Sequence, residues 1–269
     1  MSSNDRRKAW NAISAAYQNR YKINIKKIHY GPLCPSEDRL KLIGDVKNRR
    51  ILELGAGAGQ NSIYLAKKGA CVTAVDISDE QIKAGKIIAA KANIPVNYIR
   101  SSFRTFKPHF KDNYFDIVIS VYALQYCKDV IELKRVLSDL YKVLKPSGFI
   151  VFSVGHPIRS KGYWAKGTDV FVFDNYFDNN IKTWDYSFPE ANISVKMVGC
   201  HKTISQYLNA VIEAGFTLNA VIEPKPLSKD ANSNFGVMSR YGKNSKLDPY
   251  SYDHLERVPG TLIIRAMKR

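Results

Sequence analysis

Several things are scarce in this 269-residue chain, and each shortage excludes something. It has four cysteines, Cys34, Cys71, Cys127 and Cys200, none spaced as C-x-x-C. That argues against a disulfide framework and a zinc site and fits a reducing cytoplasm. No apolar run is long enough to span a bilayer, and the opening residues Met1 to Lys8 lack the apolar centre of a signal peptide. Acidic residues are outnumbered, 24 against 41 basic ones, for a formal net charge of +17. Such a balance invites phosphate partners. The basic residues are scattered, however, densest between Lys22 and Arg50, with no compact basic arm or RNA-binding module. A solvated basic surface or an anionic small substrate accounts for the charge as well as a nucleic acid does. No internal repeat is evident, and the length suits one large α/β domain with an insertion or small lid.

The chain is organised around residues 50 to 60, where the apolar run Ile51 to Leu54 breaks into three alternating glycines, Gly55, Gly57 and Gly59. The run reads as a buried parallel strand. Glycines follow because the backbone must turn at the strand's carboxyl end and let a ligand approach without Cβ atoms in the way. Residues 61 to 68 then have helical spacing and stop at Gly69. A dinucleotide fingerprint would need a small residue where Gln60 stands, so the spacing is G-x-G-x-G behind an acid, Glu53, rather than G-x-G-x-x-G. A second strand, Cys71 to Val75, ends in Asp76, where an adjacent parallel strand would set a carboxylate beside the glycine turn to accept from ribose hydroxyls. Ser78 and Gln81 carry the spacing of a capping box for the next helix, 79 to 92.

Glu53, the glycine run and Asp76 together resemble motif I and its partner acid in the class I S-adenosylmethionine (SAM) dependent methyltransferases, of the small-molecule, methyltransferase type 11-like kind. The resemblance implies an α/β fold, a Rossmann-like seven-stranded sheet of order 3-2-1-4-5-7-6 with the last strand antiparallel, helices on both faces and a small antiparallel cap insertion. It implies SAM as cofactor, with S-adenosylhomocysteine as product, held by Glu53, Gly55, Gly57, Gly59, Asp76, Ile77, Ser102, Phe103 and Val121. Where many members place an Asp after the third strand, this chain has Ser101-Ser102-Phe103, so Ser102 would meet the adenine and Phe103 pack on it.

The remaining chain divides, on this reading, into an N-terminal helical lid (1–44), the cofactor core (45–155), an aromatic cap insertion (156–202) and the rest of the core (203–269). In the lid, Ala9, Trp10, Ile13, Ala16 and Tyr17 share a helical face, with Trp10 expected to dock on the sheet, and 36–43 reads as a short helix. Tyr17, Tyr21, His29 and Tyr30 are candidates to line the acceptor site, as in relatives whose leading helix covers the cofactor mouth. Strands are expected at 95–99, 114–120, 149–154, 217–223 and 260–266. Helices are expected at 130–144, with Ile131 among its buried residues, and at 203–214, and a polar connection that can hold a short helix at 224–258. Aromatics crowd 163–201, including Trp184 and Trp164, the latter expected to touch substrate, and alternation at 169–174 and 193–198 predicts two cap strands. A lid over a substrate cavity and a dimer contact both account for them.

Tyr126 stands beyond the fourth strand, either reaching towards the transferred methyl or packing as a core aromatic. His156, at the tip of the fifth strand, has an imidazole suited to take a proton from an OH or NH, or orients the loop before Pro157. His201 stands where the cap returns and would touch substrate. The expected activity is methyl transfer to an O, N or C nucleophile of a small organic molecule, by a cytoplasmic monomer or homodimer with no membrane partner and no metal. RNA methylation and SAM cleavage by a cyclase are the alternatives.

Overall fold

The apolar runs become the strands of one mixed sheet in the computed structural model, which describes residues 3–165, 168, 170–227 and 252–269. In chain order come α1 (Ser3–Tyr21), α2 (Glu37–Leu40), β1 (Arg50–Leu54), α3 (Gln60–Lys67), β2 (Cys71–Asp76), α4 (Asp79–Ala92) and β3 (Asn97–Arg100). Then follow β4 (Phe115–Val121), α5 (Val130–Val143), β5 (Leu144–Gly155), α6 (Pro157–Ser160), β6 (Gly162–Trp164), β7 (Phe171–Phe173), β8 (Ile181–Phe188) and β9 (Ile193–Cys200). The chain closes with α7 (Ile204–Glu213), β10 (Phe216–Ile222), α8 (Tyr252–Arg257) and β11 (Thr261–Lys268).

The sheet runs β10-β11-β5-β4-β1-β2-β3, with β11 antiparallel to both neighbours. This is the expected 3-2-1-4-5-7-6 order once the cap strands are set aside, a Rossmann-like fold. Residues 51 to 54 of β1 and 117 to 120 of β4 are buried without a break, as central strands covered on both faces must be. On one face α5 and α7 bury Leu133, Val136, Leu137, Leu140, Tyr207 and Val211 against Val118, Phe152 and Ile264. On the other, Leu65 and the segment from Ile28 to Val46 cover Ile51, Ile119 and Val151. Because β1, β2 and β4 run parallel, their carboxyl ends fall on one rim.

Several local expectations are corrected. Ile131 is 78% exposed, lying off the stripe that 133, 136, 137, 140 and 143 form on α5. The helix expected at 36–43 is cut to α2 because Lys41 turns left-handed (φ 51°) and the Glu37 carboxylate accepts the N–H groups of Leu42, Ile43 and Gly44 instead. The two predicted cap strands exist but do not pair with each other. β7 pairs with β6, and β9 pairs with β8, so the insertion is two hairpins. Asp169, the start of the first predicted cap strand, and most of the 224–258 connection lie outside the described residues, but α8 forms within the latter. No helix of the described residues is long and apolar enough to cross a membrane.

Candidate active site

The glycine turn and Asp76 meet as expected. Gly55 and Ala56 donate to the carbonyl of Val75 on the neighbouring strand (2.8 and 3.0 Å), which folds the turn back over the end of β2. Asp76 Oδ2 accepts from Gly57 N at 2.7 Å and Oδ1 from Ser78 N at 2.8 Å, so the carboxylate is aimed by backbone before any ligand arrives. Burial pulls its pKa up, and the N–H groups of Ser78, Gly57 and Ile77 pull it down. At Gly55 (φ 74°) an added Cβ would stand 2.3 Å from that of Ala123, so this glycine brings β1 and the loop after β4 together. At Gly57 (φ 58°) an added Cβ meets nothing closer than Gln81 Oε1 at 3.8 Å, because that side of the turn is open.

What it opens on is a cavity of about 810 Å³, in the range of small-molecule sites. Its walls include Glu53, Gly55, Gly57, Asp76, Ile77, Ser102, Phe103 and Val121 on the core side, and Tyr17, Tyr21, His29, Tyr126, His156 and His201 on the other. Glu53 is 3% exposed, and its Oε2 accepts from Ser62 N (2.9 Å) and Ser62 Oγ; burial pushes its pKa up to about 7. Ser102 Oγ is engaged with Thr105 Oγ1 at 3.0 Å and accepts from Arg104 N. His29 is pushed down to about 4 by burial, with its backbone held by the Asn61 amide.

Three expected residues fall outside the cavity. Gly59 is the N-cap of α3 (φ 71°) and is packed by the Tyr98 ring, so the third glycine serves helix packing. Tyr30 is 1% exposed, with its hydroxyl donating to Glu37 Oε2 at 2.5 Å, and it belongs to the core beneath the sheet. Trp164 stacks on His254 at 4.3 Å between the first cap hairpin and α8.

Sequence reasoning missed part of the wall. Trp10 does not dock on the sheet; it lines the cavity and meets Tyr17, Tyr126 and Tyr186 edge-on, at 5.8, 5.6 and 6.3 Å. Its seven-residue spacing from Tyr17 along α1 was the available signal. Tyr126 also stacks with Trp184 of β8 at 6.4 Å, and Tyr21 shares a 2.8 Å hydrogen bond with Tyr186. The same helix reaches the side of the glycine turn. Arg7 and Asn11 bond Asp79, and Gln18 donates to Gln81 Oε1 and accepts from Gln60 Nε2 (both 2.7 Å). Gln81 therefore completes only half of the expected capping box, its N–H meeting Ser78 Oγ while its side chain turns to α1.

Beyond the aromatic wall the lining becomes charged, with Arg159, Lys161, Asp174, Lys182 and Lys202, and Asp178 pairs with both Lys161 (3.0 Å) and Lys182 (2.9 Å). Lys202 is 2% exposed and donates to the carbonyls of Gln125, Cys127 and Cys200, tying the end of the cap to the loop that carries Tyr126. His201 Nδ1 bonds Ser160 Oγ at 2.7 Å, and its pKa is pushed down to about 4 by burial. His156 is 1% exposed, with Nε2 2.7 Å from Glu223 Oε1. Among the described residues no cluster of His, Cys, Asp and Glu could hold a metal ion.

Residues 52–152 match a family model described as a methyltransferase domain. Among curated proteins, the ubiquinone biosynthesis O-methyltransferase of Photorhabdus laumondii subsp. laumondii is 25% identical over 155 residues, 58% of this chain and 59% of that protein. The chain spans 46% and 45% of two Shewanella proteins of the same description, so less than two thirds of the relatives it matches. Among solved structures, a putative SAM dependent methyltransferase from Listeria monocytogenes is 25% identical with a TM-score of 0.63, over 85% of this chain and 95% of that one. A SAM dependent methyltransferase from Mesorhizobium loti matches at the same identity and TM-score, over 85% and 94%. Residues 52–152 thus match a methyltransferase domain, and the chain as a whole is similar in fold to SAM dependent methyltransferases.

Proposed function

We propose that the chain transfers a methyl group from SAM to an O, N or C nucleophile of a small organic molecule. The observation that carries this reading is the open glycine turn beside the pre-aimed Asp76 carboxylate, on the wall of a cavity of about 810 Å³. The residues fit the group. Asp76 keeps lone pairs for two ribose hydroxyls, Ser102 and Phe103 flank the place for an adenine, and Gly57 leaves room that a Cβ would fill. Glu53 offers a buried carboxyl to a cationic amino acid moiety, and the backbone at Val121 faces the same space.

When bound, SAM supplies an electrophilic methyl on a sulfonium. The chain's part is alignment and exclusion of water. Trp10, Tyr126, Trp184 and Tyr186 form an apolar wall against which an acceptor is held, and α1 bridges that wall to the cofactor side. His156 and Tyr126 are the groups of this site with chemistry to offer the acceptor. The relatives described as O-methyltransferases favour a small acceptor over RNA. A cytoplasmic setting belongs to the same proposal, in keeping with four unpaired cysteines.

The test is calorimetric titration of SAM into the wild type and Asp76→Ala, with circular dichroism as the check on folding. Loss of hydrogen bonds to a charged acceptor costs about 1.5–3 kcal/mol, which weakens binding roughly 10- to 100-fold. Equal affinity in the two proteins refutes the assignment.

A further inference from the structure

One cation on the cavity wall is left without a partner among the described residues. Positions 6, 10, 17 and 21 share a face of α1, and all four residues, Arg6, Trp10, Tyr17 and Tyr21, line the cavity. Three of them carry rings. The fourth carries a guanidinium and is 9% exposed. Its Nε has no hydrogen-bond partner, and Arg6 forms no ion pair among the described residues. Glu132, close enough to feel its field, is already engaged: Oε1 accepts from Arg104 Nε at 2.7 Å and Oε2 from the N–H of Lys128. Burial pushes the pKa of Glu132 up, and Arg104, the Lys128 N–H and Arg6 together hold it below its ordinary value. Lys202 is a second cation here. It and Arg6 both pull down on the Cys127 thiol, which burial pushes up to about 12, and its three hydrogen bonds all go to carbonyls.

A buried guanidinium with no counter-charge on it destabilises the fold, and an apolar side chain of its size would fill the same place without that cost. Kept on a cavity wall, it calls for a group that arrives with a ligand. Its planar fork of donors matches the oxygens of a carboxylate or a phosphate. We infer that Arg6 sets the specificity of the cavity: the ligand that lies on the aromatic wall carries a carboxylate or phosphate group, which Arg6 grips. The inference rests on the methyl-transfer reading only for calling that ligand the acceptor.

The carboxylate of SAM itself does not answer to Arg6. On the reading above, the amino acid part of SAM meets Glu53 and the glycine turn. The helix reaches that turn at Gln18, which bonds Gln60 and Gln81, twelve residues and about 18 Å further along α1. Trp10, by contrast, is one helical turn from Arg6 and meets Tyr126 at 5.6 Å. A ring or chain lying on that wall therefore presents its end to the guanidinium. The balance of 41 basic against 24 acidic residues also draws an anion towards the molecule from a distance.

The experiment titrates benzoate, phenyl phosphate and neutral benzamide into the full chain, followed by tryptophan fluorescence, since Trp10 stands beside the site. Each probe has a ring for the wall, and the three differ in the group offered to Arg6. In the wild type at least one of the two acids should bind roughly 10- to 100-fold more tightly than benzamide, the range of a hydrogen bond to a charged group. The acid preferred tells carboxylate from phosphate. In Arg6→Met, which keeps the length and removes the charge, the preference should disappear while circular dichroism stays that of the wild type. Equal affinity for acids and benzamide in the wild type, or no binding of any probe at millimolar concentration, overturns the inference, and that arm needs no variant to fold. A preference that survives in Arg6→Met overturns it too. Calorimetry with SAM separates the two levels. Heat retained in Arg6→Met assigns the lost preference to the acceptor, and heat lost in the variant alone places Arg6 on the nucleoside and overturns the inference. No heat in the wild type, with the preference for acids intact, defeats methyl transfer and leaves the anion site standing.

Discussion

Replacing Glu53 by Gln is expected to change the pH dependence of stability. The carboxyl is buried at the end of β1, bonded to Ser62, and its pKa in the fold is raised by burial from 4.5 to about 7. The unfolded chain releases this proton near 4.5 while the native chain holds it to about 7, so the stability tied to Glu53 is complete below 4.5 and is lost as the pH rises to 7. A gap of about 2.5 corresponds to about 3 kcal/mol at roughly 1.4 kcal/mol each. The wild type alone does not reveal this, because His29 and His201, both pushed down to about 4 by burial, act in reverse. Their contribution is present above 6.5 and lost as the pH falls towards 4. The difference between Glu53→Gln and the wild type cancels the histidines, since Gln accepts from Ser62 through its carbonyl oxygen but has nothing to ionise. Urea unfolding of both proteins at intervals from pH 4.5 to 7.5 should show the variant gaining about 3 kcal/mol on the wild type across that span, on the order of 6–12 °C in midpoint temperature. A difference that stays constant with pH refutes the reasoning. If the ligand is cationic SAM, binding at pH 6 should also expel a proton, seen as a dependence of the calorimetric heat on the buffer.

Two other outcomes follow from packing. Gly55→Ala forces a left-handed Ala and a Cβ clash with Ala123, for a loss of about 3 kcal/mol, whereas Gly57→Ala, with open space before it, should lose about 1–2 kcal/mol; equal losses in urea unfolding would defeat the distinction. Leu137→Ala on the buried stripe of α5 should cost about 2–5 kcal/mol, and Ile131→Ala, 78% exposed on the same helix, within about 0.5 kcal/mol of nothing. A comparable cost at the two sites would place Ile131 in the core after all.

The half of the cavity around the glycine turn was legible because its signals are local. Three glycines behind an acid, and a second strand ending in Asp76, constrain backbone conformations that few other residues allow, and the strand order followed from the family those motifs resemble. The aromatic half was less so. Tyr30 and Trp164 had the composition of pocket residues, but whether an aromatic faces a cavity or a core depends on what packs above it, and Glu37 and His254 are what they found. Trp10 erred the other way, since helical periodicity gives a face without saying what the face meets. The pairing of β8 with β9 escaped because β8 is exposed for most of its length and is held by backbone bonds, which leave no apolar alternation to read. Glu223 had no local signal at all: only the return of β10 to the sheet brings it to His156.

The hydrogen bond between Ser160 and His201 joins the two feet of the aromatic insertion, with the forty residues between them passing outside the sheet. The length of an excursion closed at its base enters the loop entropy only logarithmically, and none of its strands pairs with the seven-stranded sheet. Exchanging the segment between residues 160 and 201 is therefore felt first by α1 and not by the sheet, since Phe188 and Met197 share one buried cluster with Ala9, Ile13 and Ala16.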